Sequence, residues 1–244
     1  MEFKEFYNCC AAIFEANSYL PKLDEDKANK LYLLTNRMLE VNEHMNLTAI
    51  KEEKAIILRH YADSLAISSY IPEGASIIDV GCGAGFPTLP LAIFRPDLRI
   101  TALDSTAKRI KYVDETAKVL GLNNVTAIAE RAETLGNSKQ FREKFDYATA
   151  RAVASLPILT ELCLPFVTIG GKFIAMKAQK ADNEAKASAS AITRCGGALA
   201  EKLEIPLSSP EGAIEPRTIV VIEKVKQTPP EFPRHYSKIS KKPL

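Results

Sequence analysis

The pattern of apolar and polar positions divides the chain into two parts. Over the first seventy residues, apolar side chains recur at the helical spacing i, i+3, i+7 and i+10, which places them on one stripe of an amphipathic helix. The stripe consists of Leu31, Leu34, Met38 and Val41. Acidic residues at positions 24 to 26 precede it and favour the helix N-terminus. A second helical stretch is predicted over Lys51–Tyr70, after which Pro72 and Gly74 interrupt the pattern.

Beyond this interruption, short apolar runs alternate with segments of helical length. The predicted strands are Ser76–Val80, Arg99–Leu103, Val125–Ala129, Asp146–Ala150, Lys172–Met176, Leu199–Ile205 and Thr218–Ile222. The predicted helices include Ala107–Leu120, Leu156–Phe166 and Ala181–Arg194. Alternating strands and helices form right-handed crossovers, so an α/β fold with a mostly parallel, doubly wound, Rossmann-like sheet is expected. The last two strands are too close to hold a helix between them, which predicts an antiparallel hairpin at the end of the sheet.

These patterns predict three segments in a chain of 244 residues. Residues 1–72 form an N-terminal helical extension, and residues 73–228 form the α/β core. Residues 229–244 form a basic tail that packs on or near the core. The tail is rich in Pro and Lys, which predicts an irregular conformation.

The charge of the chain is unevenly distributed. The formal net charge is only +2, which excludes a protein that coats nucleic acid indiscriminately. However, residues 1–50 hold five Lys and Arg against eight Asp and Glu, whereas residues 217–244 hold seven against two. The basic end is either a solvated terminus or a surface that meets phosphates.

The cysteines, the histidines and the first twenty residues predict neither a metal site nor secretion. The five cysteines include no C-x-x-C pair, and the three histidines have no metal-ligand spacing, so neither a disulfide framework nor a metal site is expected. The first twenty residues lack the pattern of a signal peptide, and a cytoplasmic protein without a membrane segment is predicted.

A glycine-rich loop follows the first predicted strand. It reads Asp79-Val80-Gly81-Cys82-Gly83-Ala84-Gly85-Phe86-Pro87. Glycines at alternate positions let a backbone turn tightly and approach a ligand at the carboxyl end of a strand. The spacing G-x-G-x-G differs from the G-x-G-x-x-G of dinucleotide-binding folds, which disfavours the alternative of an NAD(P)-dependent oxidoreductase. The Asp79 carboxylate, aimed into the loop, favours a ligand with an ammonium group, such as S-adenosyl-L-methionine.

Further acidic residues follow the next two strands. Asp104 closes the second strand, where a carboxylate can accept hydrogen bonds from a ribose diol. Glu130 and Glu133 follow the third strand, where an adenine edge would lie. Spacing does not decide which of these two glutamates faces the ligand.

Several motifs together resemble the RsmG (GidB) family of bacterial small-subunit ribosomal RNA methyltransferases. They are NLTAI (46–50), HYADSL (60–65), DVGCGAGFPTLPLAI (79–93), LDSTAKR (103–109), RAE (131–133), RAVA (151–154), GGKFIAMK (170–177) and a PR pair near the C-terminus. The resemblance implies a class I methyltransferase that transfers a methyl group from S-adenosyl-L-methionine to N7 of a guanosine in 16S rRNA. The implied target lies near the decoding site of the small ribosomal subunit.

The resemblance also assigns residues. Family cofactor contacts fall on Gly81, Phe86, the pair Ala132 and Glu133, and Arg151, which favours Glu133 over Glu130. Guanine N7 carries a free lone pair, so in-line transfer needs no general base, and Arg151 is predicted to position the reactants. A methyltransferase with a small-molecule or protein acceptor is the alternative.

The RNA-binding surface is predicted from basic residues near the fifth strand and in the tail. The residues are Lys177, Arg234, Lys241 and Lys242, with Lys172 and Lys180 flanking the same strand. Phe86 or Tyr236 could stack on a base. Asp63 and Ser64 are expected either to line the substrate side or to cap a helix. A monomer is expected.

Overall fold

The computed structural model describes residues 1–151, 154–177, 184 and 186–244. These residues form a seven-stranded sheet with the order β3-β2-β1-β4-β5-β7-β6. The strands are β1 Ser76–Val80, β2 Arg99–Asp104, β3 Val125–Ala129, β4 Phe145–Arg151, β5 Val167–Lys177, β6 Gly197–Ser208 and β7 Ile214–Lys224. Strands β1 to β5 are parallel, whereas β7 lies between β5 and β6 and is antiparallel to both. The predicted fold class and end hairpin are confirmed.

Helices cover both faces of the sheet. In chain order they are α1 Phe3–Ala16, α2 Glu25–Met45, α3 Glu53–Ile56, α4 Asp63–Leu65, α5 Thr88–Phe94, α6 Ala107–Val119, α7 Ala132–Leu135 and α8 Leu156–Cys163, followed by the helices Ala189–Arg194 and Tyr236–Lys241. Successive strand residues point to opposite faces, so Ile77 belongs to the apolar cluster that contains α1, α2, α5 and α6, while Ile78 belongs to the cluster that contains α8 and the C-terminal segment. The apolar runs of the strands are therefore buried on both sides, as a parallel sheet requires.

The N-terminal helices share an apolar core with the sheet. Of the predicted stripe on α2, Leu31, Leu34 and Met38 are fully buried and Val41 is half-buried. The helix begins after Asp24, whose carboxylate accepts from Lys27 N. Phe14 of α1 stacks on Phe94 of α5 with 5.5 Å between ring centroids.

The stretch Lys51–Tyr70 is not the uniform helix that its pattern predicts. A π-helical turn, Ile57–Ala62, separates α3 from α4, and a 3-10 turn follows at Ser68–Tyr70. A π turn inserts an extra residue and so rotates the side chains that follow it. Ile57 and Tyr61 on this turn are fully buried, while His60 and Asp63 line a cavity over the sheet.

The prediction of an irregular tail is wrong for Tyr236–Lys241, which is helical. The His235 ring caps this helix by accepting from Ser237 N, and the fully buried Ile239 fixes it to the core. Arg142 holds the chain ahead of the helix by donating to the backbone carbonyls of Thr228, Pro229 and Phe232. Apolar burial and backbone hydrogen bonds thus order a segment whose composition is typical of a loop.

Two predicted helices have different bounds in the structure. Leu156–Phe166 is α8 followed by a 3-10 turn at Leu164–Phe166, in which Pro165 cannot continue the α-helical hydrogen bonding. Of Ala181–Arg194, the part Ala189–Arg194 is helical. Residues 178–183 and 185, including Lys180, lie outside the described part of the chain.

Candidate functional site

The glycine loop turns back over the carboxyl ends of β1 and β2. Gly81, Gly83 and Gly85 have φ angles of 77°, 57° and 88°, a left-handed conformation that glycine adopts at little cost. Gly81 N and Cys82 N both donate to Leu103 O, which ties the loop to β2. A Cβ on Gly85 would lie 2.6 Å from Leu89 Cδ1, so this glycine allows α5 to pack under the loop.

Asp79 lies beneath the loop, where its side chain is buried. Its side chain is 1% exposed, and Thr88 Oγ1 donates to Oδ2 over 2.6 Å. Within the described residues, Oδ1 is buried without a hydrogen-bond partner. Burial raises the pKa of Asp79 to about 6. Through Thr88, Asp79 holds the start of α5 against the end of β1, and its contact with a ligand's ammonium group stays a prediction.

Two cavities adjoin above the loop, at the carboxyl ends of the parallel strands. The larger cavity, about 530 Å³, extends from the loop to the π-helical turn and the ends of β4 and β5. The smaller cavity, about 280 Å³, lies over the ends of β2 and β3. Gly81, Asp104 and Arg109 line both, so the two cavities are adjacent and together form a groove over the glycine loop. This is the edge at which open α/β sheets bind ligands.

Asp104 stands where the two cavities meet. It is 7% exposed, and its carboxylate accepts from Gly83 N at 3.1 Å and Thr106 N at 2.8 Å. These bonds fix the carboxylate at the end of β2. The boundary between the two cavities therefore carries a rigid carboxylate, which can accept hydrogen bonds from the two hydroxyl groups of a diol.

The smaller cavity is lined by both glutamates that spacing alone could not separate. Glu130 is exposed and accepts from the adjacent Arg131 N. Glu133 is buried, and its Oε1 accepts from Arg131 Nε at 2.7 Å and from Tyr236 N at 3.3 Å. Ala132, the first residue of α7, lines the same cavity. Glu133 is the more rigidly held of the two glutamates.

Arg151, the last residue of β4, enters the larger cavity beside the glycine loop. Its Nη1 donates to Asp63 Oδ2 at 3.0 Å and to Arg59 O at 3.1 Å. Its guanidinium lies 5.2 Å from the centroid of the Phe86 ring. Phe86 stacks on His60 with 4.5 Å between centroids and 12° between planes. Motifs that are distant in sequence thus form one layered wall.

His60 is a neutral member of this wall. Burial, with a smaller contribution from the charge of Arg151, lowers the pKa of His60 to about 3. Its Nδ1 lies 3.4 Å from Arg151 Nη2, and its Nε2 lies 2.8 Å from Thr48 Oγ1. Because a guanidinium can only donate, the ring accepts at Nδ1 and carries its proton on Nε2, which donates to Thr48. His60 therefore connects the NLTAI loop to β4.

Arg217 completes the wall and was not found from the sequence. Its Nε donates to Asp63 Oδ1 at 3.1 Å, and its Nη2 pairs with Glu215 Oε2 at 2.9 Å. Glu215 in turn pairs with Arg59 at 2.7 Å. Arg217 reaches the cavity because β7 inserts beside β5, a placement that no local motif encodes. Asp63 lines the cavity, whereas Ser64 is fully buried, and a role of Asp63 on the substrate side stays a prediction.

The predicted RNA-binding residues lie in different surroundings. Lys177 lines the larger cavity, and its Nζ pairs with Glu184 at 2.8 Å. Arg234 forms two hydrogen bonds of 2.8 and 2.6 Å with the fully buried Glu161, a pairing that commits its guanidinium to the fold. Lys241 and Lys242 are exposed at the end of the C-terminal helix and line neither cavity. An RNA contact stays a prediction for all four residues.

Other chemistries find little support in the described residues. No group of three or more His, Cys, Asp or Glu among them is arranged to hold a metal ion, and none of their helices is long and apolar enough to cross a membrane. Cys82 in the loop is 2% exposed, and burial raises the pKa of its thiol. A buried thiol of this kind is a poor nucleophile.

Comparison with known proteins gives consistent matches. The family model described as rRNA small subunit methyltransferase G matches residues 27–206. A protein of Alkaliphilus metalliredigens named ribosomal RNA small subunit methyltransferase G is 45% identical over 224 residues, which are 91% of this chain and 92% of the relative. A protein of the same name from Desulforamulus reducens is 44% identical over 213 residues, with coverage of 86% and 87%.

Solved structures match the fold at much lower identity. An Aquifex aeolicus protein described as a SAM-dependent methyltransferase has a TM-score of 0.52 and 15% identity, and the match covers 72% of this chain and 96% of that one. The M. jannaschii protein TYW2, solved in complex with AdoMet, has a TM-score of 0.51 and 16% identity, with coverage of 65% and 73%.

Proposed function

Because the chain belongs to the rRNA small subunit methyltransferase G family, we propose that it methylates N7 of a guanosine in 16S rRNA near the decoding site, with S-adenosyl-L-methionine as the methyl donor. The observation that carries this proposal is the groove over the glycine loop. Its two cavities bring together Asp104, Glu133, Phe86 and Arg151, which lie on four separate segments of the chain.

The groove has the donors and acceptors that this cofactor requires. Asp104, fixed by two backbone N–H groups, would accept from the ribose hydroxyls. Glu133 and Ala132 would lie beside the adenine, and Gly81 and Gly83 allow close approach of the backbone.

On the methionine side of the cofactor, Arg151 would bind the methionine carboxylate or an rRNA phosphate. The Asp79 carboxylate, whose Oδ1 is buried without a partner among the described residues, would favour the positive charges of the cofactor's ammonium and sulfonium groups.

The chemistry requires positioning and no proton transfer before attack. Guanine N7 has an in-plane lone pair, and the cofactor supplies an electrophilic methyl group on a positively charged sulfur. The protein must therefore hold nucleophile, carbon and sulfur in line and exclude water. His60, which stacks on Phe86, is neutral because its pKa is lowered. A neutral imidazole does not act as a general acid, which agrees with a reaction that needs positioning and no proton donor.

The acceptor side of the groove is suited to RNA. The larger cavity carries more positive than negative charge. Its cationic lining residues beyond the glycine loop are Arg59, Arg151, Lys177 and Arg217, and its acidic ones are Asp63 and Asp104. Cationic side chains around an aromatic ring are the usual partners of a phosphate backbone and an unstacked base. Lys241 and Lys242 would extend the contact to flanking phosphates.

The protein would act as a monomer in the cytoplasm, where ribosomal subunits are found.

Labelled methyl transfer tests the reaction directly. Purified protein, labelled S-adenosyl-L-methionine and small subunits that lack the modification should yield label in 16S rRNA at one guanosine that aniline cleavage identifies as 7-methylguanosine. Label in another product, or in a protein, would favour the alternative acceptors. Arg151→Ala should abolish most of the incorporation, and Lys139→Ala, an exposed position outside both cavities, serves as the matched control.

Cofactor binding is tested separately from transfer. Asp104→Ala should raise the dissociation constant for S-adenosyl-L-methionine by about tenfold or more, since a charge-assisted pair of hydrogen bonds is lost. Asp114→Ala on the exposed side of α6 is a matched carboxylate control and should bind like the unchanged protein. Calorimetry that finds equal affinities for both variants would reject the assignment of the ribose site.

A further inference from the structure

The C-terminal segment reaches the smaller cavity. Tyr236, the first residue of the C-terminal helix, lines this cavity together with Glu130, Arg131 and Glu133. The cavity floor comes from β1, β2 and the loops after them, so the segment supplies a wall that the α/β core alone does not. The sequence pattern by itself predicts for Tyr236 a stacking contact with an RNA base.

Two contacts hold Tyr236 in this wall. Its backbone N–H donates to Glu133 Oε1 at 3.3 Å, and its ring lies 5.2 Å from the Arg131 guanidinium carbon. Arg131 also donates to Glu133 over 2.7 Å. Each of the three residues thus contacts the other two, and the Glu133 carboxylate fixes both the Arg131 guanidinium and the start of the C-terminal helix. Any ligand beside Glu133 therefore meets Tyr236.

Anchors on both sides make this position rigid. Two residues before it, Arg234 is bound through Nε and Nη2 to the carboxylate of Glu161, which is fully buried in α8. The Arg234 backbone N–H also donates to Glu161, at 2.9 Å. Three residues after it, Ile239 is fully buried in the core. A side chain fixed between two such anchors loses little further entropy when it contacts a ligand.

We propose that Tyr236 is a cofactor-binding residue and that the C-terminal segment forms the wall for the adenosine half of S-adenosyl-L-methionine. This inference rests on the proposed function, which places the ribose at Asp104 and the adenine beside Glu133. An aromatic ring next to a purine site adds stacking and excludes water, and the Arg131 guanidinium that packs on the ring keeps it in place. Removing the ring should weaken binding without changing the geometry of transfer.

Calorimetry on three variants tests this role. Tyr236→Ala should weaken binding of S-adenosyl-L-methionine by about tenfold, the usual loss for one aromatic stacking partner. Tyr236→Phe retains the ring and should bind as tightly as the unchanged protein. Ser240→Ala, an exposed position on the same helix, is the control for disturbance of the segment. The Michaelis constant for S-adenosyl-L-methionine should rise in Tyr236→Ala and stay unchanged in Ser240→Ala.

A fragment of the cofactor separates direct contact from a general effect on the fold. 5′-Deoxy-5′-methylthioadenosine lacks the amino-acid part, so Tyr236→Ala should weaken its binding by the same factor as that of the whole cofactor. Equal affinity of Tyr236→Ala and the unchanged protein, or a loss for the whole cofactor but not for the fragment, would overturn the proposal.

If Tyr236→Ala does not fold, amide hydrogen exchange at residues 236–241 of the unchanged protein provides the measurement, and exchange of these amides should become slower when the fragment binds. If the unchanged protein binds cofactor but leaves rRNA unmethylated, the proposed function fails and this inference does not.

Discussion

Asp63 is the residue on which the acceptor-side wall depends. It is 9% exposed and accepts from Arg151 on one oxygen and from Arg217 on the other. A carboxylate between two guanidinium groups offsets their mutual repulsion and sets the position of both. Loss of its charge would leave two cations close together in a partly buried space.

We therefore expect Asp63→Asn to lower kcat/KM for rRNA by about tenfold to a hundredfold, which corresponds to about 1.4 to 2.8 kcal/mol. The amide keeps the size of the side chain but has a single acceptor for two guanidinium groups. Steady-state methylation of small subunits measures the effect. Asp114→Asn is the matched control, because its pair with Lys118 on α6 is exposed, lies outside both cavities and contributes little. Equal losses in the two variants would contradict a special role for Asp63.

His60 gives a prediction about stability and pH. Its pKa is about 3 in the folded protein and about 6.5 in an unfolded chain, so the unfolded state binds the proton more tightly. The stability that the neutral ring contributes is present above pH 6.5 and is lost as pH falls toward 3, at up to about 1.4 kcal/mol per pH unit.

Urea unfolding between pH 7 and pH 5 measures this dependence. His60→Gln should lose less stability than the unchanged protein over this range, whereas His44→Gln, at an exposed position on α2, should follow the unchanged protein. The difference between variants isolates His60 from Asp79, whose raised pKa acts in the opposite direction because it stabilises the fold as pH falls. Parallel curves for all three proteins would contradict a neutral, buried imidazole.

At the scale of elements, the glycine loop serves two purposes that two substitutions can separate. A Cβ on Gly85 would collide with Leu89 and force α5 away, whereas a Cβ on Gly83 meets no protein atom closer than 4.0 Å. Both positions have positive φ, which costs a side chain about 1 to 2 kcal/mol. Gly85→Ala should therefore lower Tm markedly, while Gly83→Ala should fold and lose cofactor affinity because its methyl group enters the cavity.

Thermal unfolding and calorimetry on the same two preparations check this division. The expected pattern is a large loss of stability in Gly85→Ala and a large loss of affinity in Gly83→Ala. The opposite assignment would show that Gly83, not Gly85, is the packing position.

The elements themselves were largely predictable because their signals are local. Strand β1 matches its predicted bounds, and Asp104 and Arg151 lie at the ends of β2 and β4, as expected from the apolar runs before them. The π-helical turn was not predictable, because its extra residue depends on how Tyr61 and Ile57 pack against the rest of the core. The C-terminal helix was missed because Ile239 is its one buried residue, too weak a periodic signal to outweigh the surrounding Pro and Lys.

At the scale of the whole molecule, the site draws on contacts that join distant parts of the chain. Arg217 meets Asp63 across 154 positions, and Arg151 meets it across 88. Such pairs follow from the order of strands and not from any local pattern. The resemblance to a family named the residues of the glycine loop and β4, but only the fold explains why the HYADSL segment lies against them.

The N-terminal helices should be required for folding of the rest. Phe6, Leu34 and Tyr61 are fully buried in the cluster that also contains Ile77 of β1. Each such side chain contributes about 1.5 to 3 kcal/mol by burial, so these three alone contribute about 5 to 9 kcal/mol, which is comparable with the whole stability of about 5 to 15 kcal/mol of a folded domain. A fragment of residues 73–244 should therefore be insoluble or lack a cooperative unfolding transition.

Co-expression of residues 1–72 with that fragment provides the control. The two pieces should assemble and recover cooperative unfolding, since the apolar surfaces that they expose are complementary. A fragment 73–244 that unfolds cooperatively by itself, as seen by circular dichroism, would show that the core is an independent domain.

The placement of β7 inside the sheet leaves β6 as an outer strand, with consequences for self-association. An outer strand exposes backbone N–H and C=O groups to which the strand of another molecule can pair. The pairing of β6 is irregular between Leu199 and Glu201, and the strand carries Lys202, Glu204 and Pro206 along its length. A bulge, alternating charges and a proline are the features by which sheet proteins resist edge-to-edge aggregation. The strand order that brings Arg217 to the groove thus places at the edge of the sheet a strand whose features oppose self-association.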